Sequence, residues 1–290
     1  MEEKDFISVI ICTYNRCESL KDTLDSLLAQ ECDGSFNWEV IVVDNNSKDK
    51  TKEVVESYMH KFGGKLRYVF EKNQGLSYAR NTGIKEAKGE IIAFTDDDCI
   101  VEDKWLFKIK NIFQKDIQLD GVLGNAVWGN GSSMYRDNNV LRGNGLNMVF
   151  RKSLFREVGY FDINLGSGSA GCSADDLEFV YRARKNGRNI RSIEDIIVVH
   201  KHRVNEREKL KVAYRDCKGY IICWLKYVVK EKDKFALKKI YWFIKGVFFD
   251  LVKEVGNGNI GRVKLKIAQT MGALVGLMKG LYIWRTRRLK

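Results

Sequence analysis

Three carboxylates in a row, Asp96-Asp97-Asp98, follow the apolar run Ile91–Phe94. Adjacent carboxylates repel one another and gain nothing by packing. The triplet therefore points either to a solvated acidic turn or to a hard divalent cation that neutralises it. Mg2+ and Mn2+ take one or two carboxylates and complete their shells with water and phosphate oxygens. In an extended segment Asp96 and Asp98 would face one way and Asp97 the other. A second acidic pair, Asp175-Asp176, stands farther along. A carboxylate there could accept the proton of a hydroxyl nucleophile within hydrogen-bond reach. The same pair would also suit the N-terminus of a helix. Arg80 offers a planar fork of donors that matches a phosphate, and Gly75 lets backbone approach a ligand closely.

Elements that position these residues recur through the first half of the chain. The run Ile7–Ile11 ends at Thr13-Tyr14-Asn15-Arg16, and Leu20, Leu24, Leu27 and Leu28 then recur at helical spacing. Val40–Val43 ends at Asp44-Asn45-Asn46-Ser47, before a helix through Val54, Val55 and Tyr58. Leu66–Phe70 ends at Asn73-Gln74-Gly75, before a helix near Tyr78–Ala87. Strands alternating with helices predict an α/β fold, a doubly wound and mostly parallel sheet with helices on both faces. In such sheets ligands bind outside the carboxyl ends of the strands. The four polar strand ends thus converge on one crevice.

Composition narrows the class. The 290 residues are 44% hydrophobic and 30% charged, enough to bury a sizeable core. Proline is absent, so a proline-rich linker is excluded. Seven cysteines without a Cys-x-x-Cys pair, behind an acidic start with a short apolar run, argue against a disulfide scaffold, a structural zinc site and a secretory leader. Residues 201–290 hold 23 Lys and Arg against 7 Asp and Glu, within a whole-chain net charge of +12. The basic excess therefore belongs to the C-terminal part, and the rest is net acidic. That split predicts a first domain over 1–205 and a basic helical region over 206–290 that meets something anionic.

The segment EKNQGLSYARNTGIKEAKGEIIAFTDDDC, with SVIICTYNR before it and VIVVDNNSKD between, resembles the family 2 glycosyltransferases. The resemblance continues in GLNMVFRKSLFREVGYFD and in the block from Asp175 to Arg182, and covers residues 6–205. It implies a GT-A nucleotide-sugar-binding fold and inverting transfer from a nucleoside-diphosphate sugar, a UDP-sugar by family habit. It implies a glycan or lipid-linked acceptor and a Mn2+ or Mg2+ cofactor. On the donor side it assigns Thr13, Asn15 and Arg16 to the first nucleotide-binding loop and Asp44 to the base. Asn73, Gly75 and Arg80 fall against the nucleotide and pyrophosphate, and Asp96, Asp97 and Asp98 at the metal and diphosphate. His200 is an added metal ligand, with His202 the weaker alternative. Gly145 and Asn147 line the acceptor side. Asp176 is the general base and Asp175 its competitor, because the family reads Glu-Asp where this chain reads Asp-Asp. The stretch Gly166–Gly171 would be a loop able to order over the ligands.

Beyond residue 206, apolar runs rich in Tyr, Trp and Phe are flanked by lysines, and Gly272, Gly276 and Gly280 repeat every four residues. The last run, Ile267–Trp284, is marginal for a membrane span. The pattern fits a helical region lying on an anionic membrane surface, at the inner face of the plasma membrane of a cytoplasmic protein, or helices packed on the first domain. The aromatics sit in apolar runs rather than singly among charges, which argues against nucleic acid. Competing readings are a sugar-nucleotide nucleotidyltransferase, which would need a glycine-rich basic loop after the first strand, and a non-catalytic sugar-nucleotide-binding protein. No Gln-x-x-Arg-Trp motif of processive synthases occurs.

Overall fold

Alternation along the strands explains the architecture. In the computed structural model, which describes residues 6–32, 34–132, 134, 145–201 and 205–286, the first half runs as predicted. Strand β1 (Ile7–Thr13) leads to helix α1 (Cys17–Leu28), β2 (Trp38–Asp44) to α2 (Thr51–Met59), and β3 (Leu66–Phe70) to α3 (Leu76–Glu86). Then come β4 (Ile91–Asp96), β5 (Cys99–Val101), α4 (Trp105–Lys115), β6 (Gly121–Trp128), β7 (Asn147–Arg151), α5 (Lys152–Val158), α6 (Asp175–Lys185) and β8 (Ile190–His200). Val9, Ile11, Val40, Val42 and Ala93 face one side and pack with Leu20, Leu24, Val55 and Trp105 of α1, α2 and α4. Ile10, Ile41, Val43, Ile92 and Phe94 face the other and pack with Ala79, Ile84, Phe155 and Phe179 of α3, α5 and α6. Burying each Val, Leu, Ile or Phe side chain of these two layers contributes roughly 1.5–3 kcal/mol relative to exposure. Both faces are covered, which is why the strands read as continuous apolar runs.

The described strands form one sheet in the order β3-β2-β1-β4-β7-β6-β8-β5. Six of them share one direction, and β7 and β5 run against it. The register aligns Thr13 with Asp44, Cys12 with Asp96, and Asp44 with Phe70, so the carboxyl ends of the first four strands lie side by side. Only Asp97 and Asp98 separate β4 from β5, although β5 is the far edge of the sheet. Two residues span about 10 Å at most, so the sheet curls until its far edge returns to the end of β4. The acidic turn is the point of closure.

The chain divides into two compact units, residues 1–161 with 179–202 and residues 162–178 with 203–290. The second unit is built on α7 (Glu206–Glu231), α8 (Lys234–Gly256) and α9 (Ile260–Thr286). Asn205 caps α7 in a reciprocal capping box with Glu208, and Asp233 caps α8. The glycine repeat of α9 lies against α7: a Cβ at Gly276 would stand 2.8 Å from the Lys218 carbonyl oxygen, and one at Gly280 would stand 2.7 Å from Leu225. Only glycine permits that approach. Within this unit Lys226 Nζ donates to Asp162 Oδ2 and Glu178 Oε1, both at 2.7 Å, and the Tyr227 hydroxyl donates to Glu178 at 2.8 Å. Glu178 is fully buried. Among the described residues no helix is long and apolar enough to cross a membrane, and all seven cysteines are free thiols.

Candidate active site

Two loops after β1 and β2 are stitched together by short polar side chains. Asn15 adopts a positive φ of 52°, its N–H donates to Ser47 Oγ at 2.9 Å, and its Oδ1 accepts from the Lys48 N–H at 2.7 Å. Asp49 Oδ2 accepts from the Cys17 N–H at the start of α1, while its other oxygen accepts from Thr51 at the start of α2. Burial would raise the Asp49 carboxyl, but these hydrogen bonds hold it below the usual carboxylate range. Thr13 is buried as the last residue of β1.

Asp44 is 3% exposed at the end of β2. Its Oδ1 accepts from the Ser47 N–H at 2.8 Å and its Oδ2 from the Tyr68 hydroxyl at 2.7 Å. Asn45, beside it, organises the third loop. Its Oδ1 accepts from the Gly75 N–H at 2.8 Å, and its amide donates to the Asn73 carbonyl at 2.6 Å. Asn73 in turn donates twice to Glu71, which also accepts from Thr82 at 2.5 Å. Gly75 precedes α3 at a φ of 139°, a conformation that disfavours any side chain.

The acidic turn is flanked by Arg16, Arg80 and His200. Arg16 donates to Asp98 and reaches Asp97 at 3.4 Å, and His200 Nε2 lies 3.4 Å from Asp98 Oδ1. Arg80 is 3% exposed, lies over the rings of Phe94 and Phe161, donates to the Gly145 carbonyl at 3.2 Å and stands 3.9 Å from Asp96. The expected alternation of the three carboxylates does not hold. Asp97 and Asp98 occupy a turn, so both reach the same guanidinium. Loss of solvent pushes the Asp96 carboxyl up to about 7 against the pull of Arg80, with Asp98 and Asp97 adding to the rise. Burial pushes Asp97 up to about 6 against Arg16. Burial works the same way on Asp98, but His200 and Arg16 outweigh it and hold that carboxyl below the usual range. Three carboxylates thus face two guanidinium groups and one imidazole.

Among the described residues no three His, Cys, Asp or Glu side chains are grouped to hold a metal unaided. The donor set on the turn is one or two carboxylates, which fits a hard cation that takes its remaining oxygens from phosphate and water. His200 ends β8 beside Asp98, with its ring edge-on to Trp128. His202 lies outside the described residues.

Asn147 departs from its expected place on the acceptor side. It is fully buried; its Oδ1 accepts from the Trp105 indole at 3.1 Å, and its amide donates to the carbonyls of Asn125 and Ile196. These bonds tie β6, β7, β8 and α4 together and leave no atom of the side chain on a binding surface. Gly145 contributes its carbonyl to Arg80. Asp175 and Asp176 open α6 in the second unit, where the Leu177 N–H donates to Asp176 Oδ1 at 2.8 Å and Asp175 is 3% exposed. The stretch from Gly166 to Gly171 is a series of turns tied by Ser169 Oγ, which donates to the carbonyls of Asn164 and Gly166. Reading the sequence placed Asn45 and Ser47 only in the polar end of the second strand, without a role of their own, and gave none to Asp49. Their one sequence signal is a short polar side chain just past a buried strand.

Residues 8–174 match the family model described as glycosyl transferase family 2. The chain belongs to that family. It is a glycosyltransferase with the GT-A fold. It is 29% identical over 259 residues to the glycosyltransferase AglE of Haloferax volcanii, covering 83% of this chain and 81% of that one. It is also 29% identical over 185 residues to a poly-β-1,6-N-acetyl-D-glucosamine synthase of Staphylococcus epidermidis, covering 57% of this chain but 44% of the synthase. Among solved structures it is similar to the mannosyltransferase PcManGT of Pyrobaculum calidifontis, in complex with GDP-mannose and Mn2+ (TM-score 0.65, 20% identity, 97% of this chain and 87% of that one). Staphylococcus aureus TarS residues 1–349 with UDP-GlcNAc is similar as well (TM-score 0.58, 18% identity, 94% and 91%).

Proposed function

We propose that this glycosyltransferase moves one sugar from a nucleoside-diphosphate donor to a hydroxyl of a glycan or lipid-linked acceptor, with inversion at the anomeric carbon. One observation carries the reading: an acidic turn held by Arg16, Arg80 and His200 lies at the aligned ends of β1, β2 and β4, beside loops whose backbones are held by Asn15, Asp44 and Asn45. A uridine diphosphate donor is favoured by family habit, and a guanosine donor is the alternative that the mannosyltransferase neighbour suggests. Asp96 and Asp98 would hold a divalent cation, Mn2+ or Mg2+, which when bound supplies charge neutralisation to the diphosphate.

The chain's own groups do the rest. Arg16 and Arg80 hold the acidic turn in place and offer donors to phosphate oxygens. Asp44 accepts from the base while Tyr68 and Ser47 keep its carboxylate oriented. Asp176 takes the acceptor hydroxyl proton as that oxygen attacks from the face opposite the leaving diphosphate, so one displacement inverts the centre. Development of charge on the leaving group is met by cationic side chains that are already ordered.

Nucleoside diphosphate release, measured with UDP- and GDP-sugars in Mn2+ with and without a glycan acceptor, tests the reading. Acceptor-stimulated release is expected. Release of pyrophosphate from a nucleoside triphosphate and sugar phosphate instead would overturn it in favour of nucleotidyl transfer. Asp176→Asn should keep donor binding within about twofold and lower turnover by roughly 10²–10⁴. Full turnover in that variant would remove Asp176 from the base role.

A further inference from the structure

Helices α8 and α9 present apolar surface where a helical unit ordinarily presents charge. On α8, Tyr241, Trp242, Phe248, Phe249 and Val252 recur on one helical face, and Trp242 and Phe249 are 61% and 68% exposed. Four lysines, Lys234, Lys238, Lys245 and Lys253, are exposed on the same helix, and Lys245 Nζ lies 4.9 Å above the Trp242 ring. On α9 the glycine face is turned to α7, and the opposite face carries Ile267, Met271, Leu274, Met278 and Tyr282 at helical spacing. Met278 is 66% and Tyr282 72% exposed. Ion pairs of Lys266 with Asp250 and of Arg262 with Glu254 join the two helices. Exposed apolar surface on this scale, rimmed by one sign of charge, marks an interaction face rather than ordinary solvent-facing helix.

We infer that the outer faces of α8 and α9 dock on the surface of an anionic phospholipid bilayer. Charge complementarity selects this occupant. The segment from residue 201 onward holds 23 basic against 7 acidic residues, and lysines interleaved with Trp, Tyr and Phe match an interface where ammonium groups meet lipid phosphates and rings enter the headgroup boundary. Lysine stems lie along the apolar surface while their heads stay in water. The helices lie on the membrane and do not cross it. The inference rests on side chains of α8 and α9 that have no part in the proposed reaction, so it stands or falls apart from that reaction.

Vesicle co-sedimentation of the full chain tests it without donor or acceptor. With vesicles of phosphatidylglycerol and phosphatidylcholine in equal parts at low salt, most of the protein should pellet. With phosphatidylcholine alone, or in about 0.5 M salt, binding should fall at least tenfold. Lys238→Gln and Lys245→Gln should each weaken binding about fivefold. The double changes Trp242→Ser with Phe249→Ser, and Met271→Ser with Met278→Ser, should each weaken it tenfold or more while the thermal midpoint and donor hydrolysis stay unchanged. Protein that remains in the supernatant with anionic vesicles, or variants that bind as the parent does, would overturn the inference. So would a lipid-free dimer, seen by sedimentation velocity, that the Trp242 and Phe249 changes dissolve while the parent ignores vesicles; that result would assign the face to a second copy.

Discussion

Two clusters of carboxylates in this chain are held in different ways. In the second unit, Asp162 and Glu178 share Lys226, and the Tyr227 hydroxyl completes Glu178. Burial alone would lower the Lys226 ammonium, but Glu178 and Asp162 outweigh it and hold its pKa above the usual lysine range. In the first unit, Asp96, Asp97 and Asp98 share Arg16, Arg80 and His200, and two of the three carboxyls are still pushed upward. The closed cluster maintains structure, because one lysine bridges its two carboxylates and a tyrosine hydroxyl completes Glu178. The other cluster lies at the aligned strand ends, where burial pushes two of its three carboxyls upward, the setting in which a functional site is expected.

That contrast can be broken in four ways, beginning with the largest effect. Lys226→Met leaves Asp162 and Glu178 without their shared cation and should cost about 3–5 kcal/mol of stability, read by urea unfolding. The sign with pH follows from the raised lysine: its contribution is fully present below the ordinary lysine pKa and is lost as pH rises through the folded value. The gap between parent and variant should therefore shrink in alkaline buffer. A constant gap up to that range would mean that Lys226 acts by packing alone. Asp96→Asn should do the reverse, lowering kcat/KM by roughly 10²–10³ with no fall in thermal midpoint, because it removes a repelling charge. A large loss of stability there would make the acidic turn structural as well.

Smaller effects sharpen the comparison. Asn45→Ala removes the acceptor for the Gly75 N–H and the donor to the Asn73 carbonyl. It should cost about 1–3 kcal/mol and raise KM for the donor more than it lowers kcat. An unchanged KM would show that the third loop holds its shape without Asn45. Asn205→Ala removes the capping box of α7 and should cost about 1 kcal/mol, with transfer unchanged. A loss of activity there would mean that α7 supports catalysis as well as stability.

Much of the first unit was legible residue by residue. Runs such as Ile7–Ile11 and Val40–Val43 announced strands because both faces of the sheet are covered, and the polar residues after them mark strand ends that lie side by side. Asp97 was misread as facing away from its neighbours because the extended pattern stops at Asp96 and a turn replaces it. Asn147 was misread because an amide beside a motif looks the same in sequence whether it faces a ligand or, as here, bonds Trp105 inside the core. Asn45 was named only as part of the polar end of the second strand; its bond to Gly75 joins positions thirty apart.

The order of residues along the chain was enough to establish family, fold class and the acidic turn, because these depend on local periodicity and on motifs read within short windows. It also located the basic, aromatic C-terminal helices and the glycine repeat. Tertiary structure alone decided which carboxylates are neutralised, that residues 162–178 group with the C-terminal helices, and which face of α9 is covered. Each of those outcomes depends on partners brought from distant parts of the chain, and charge balance and burial are properties of such neighbourhoods rather than of any stretch of sequence.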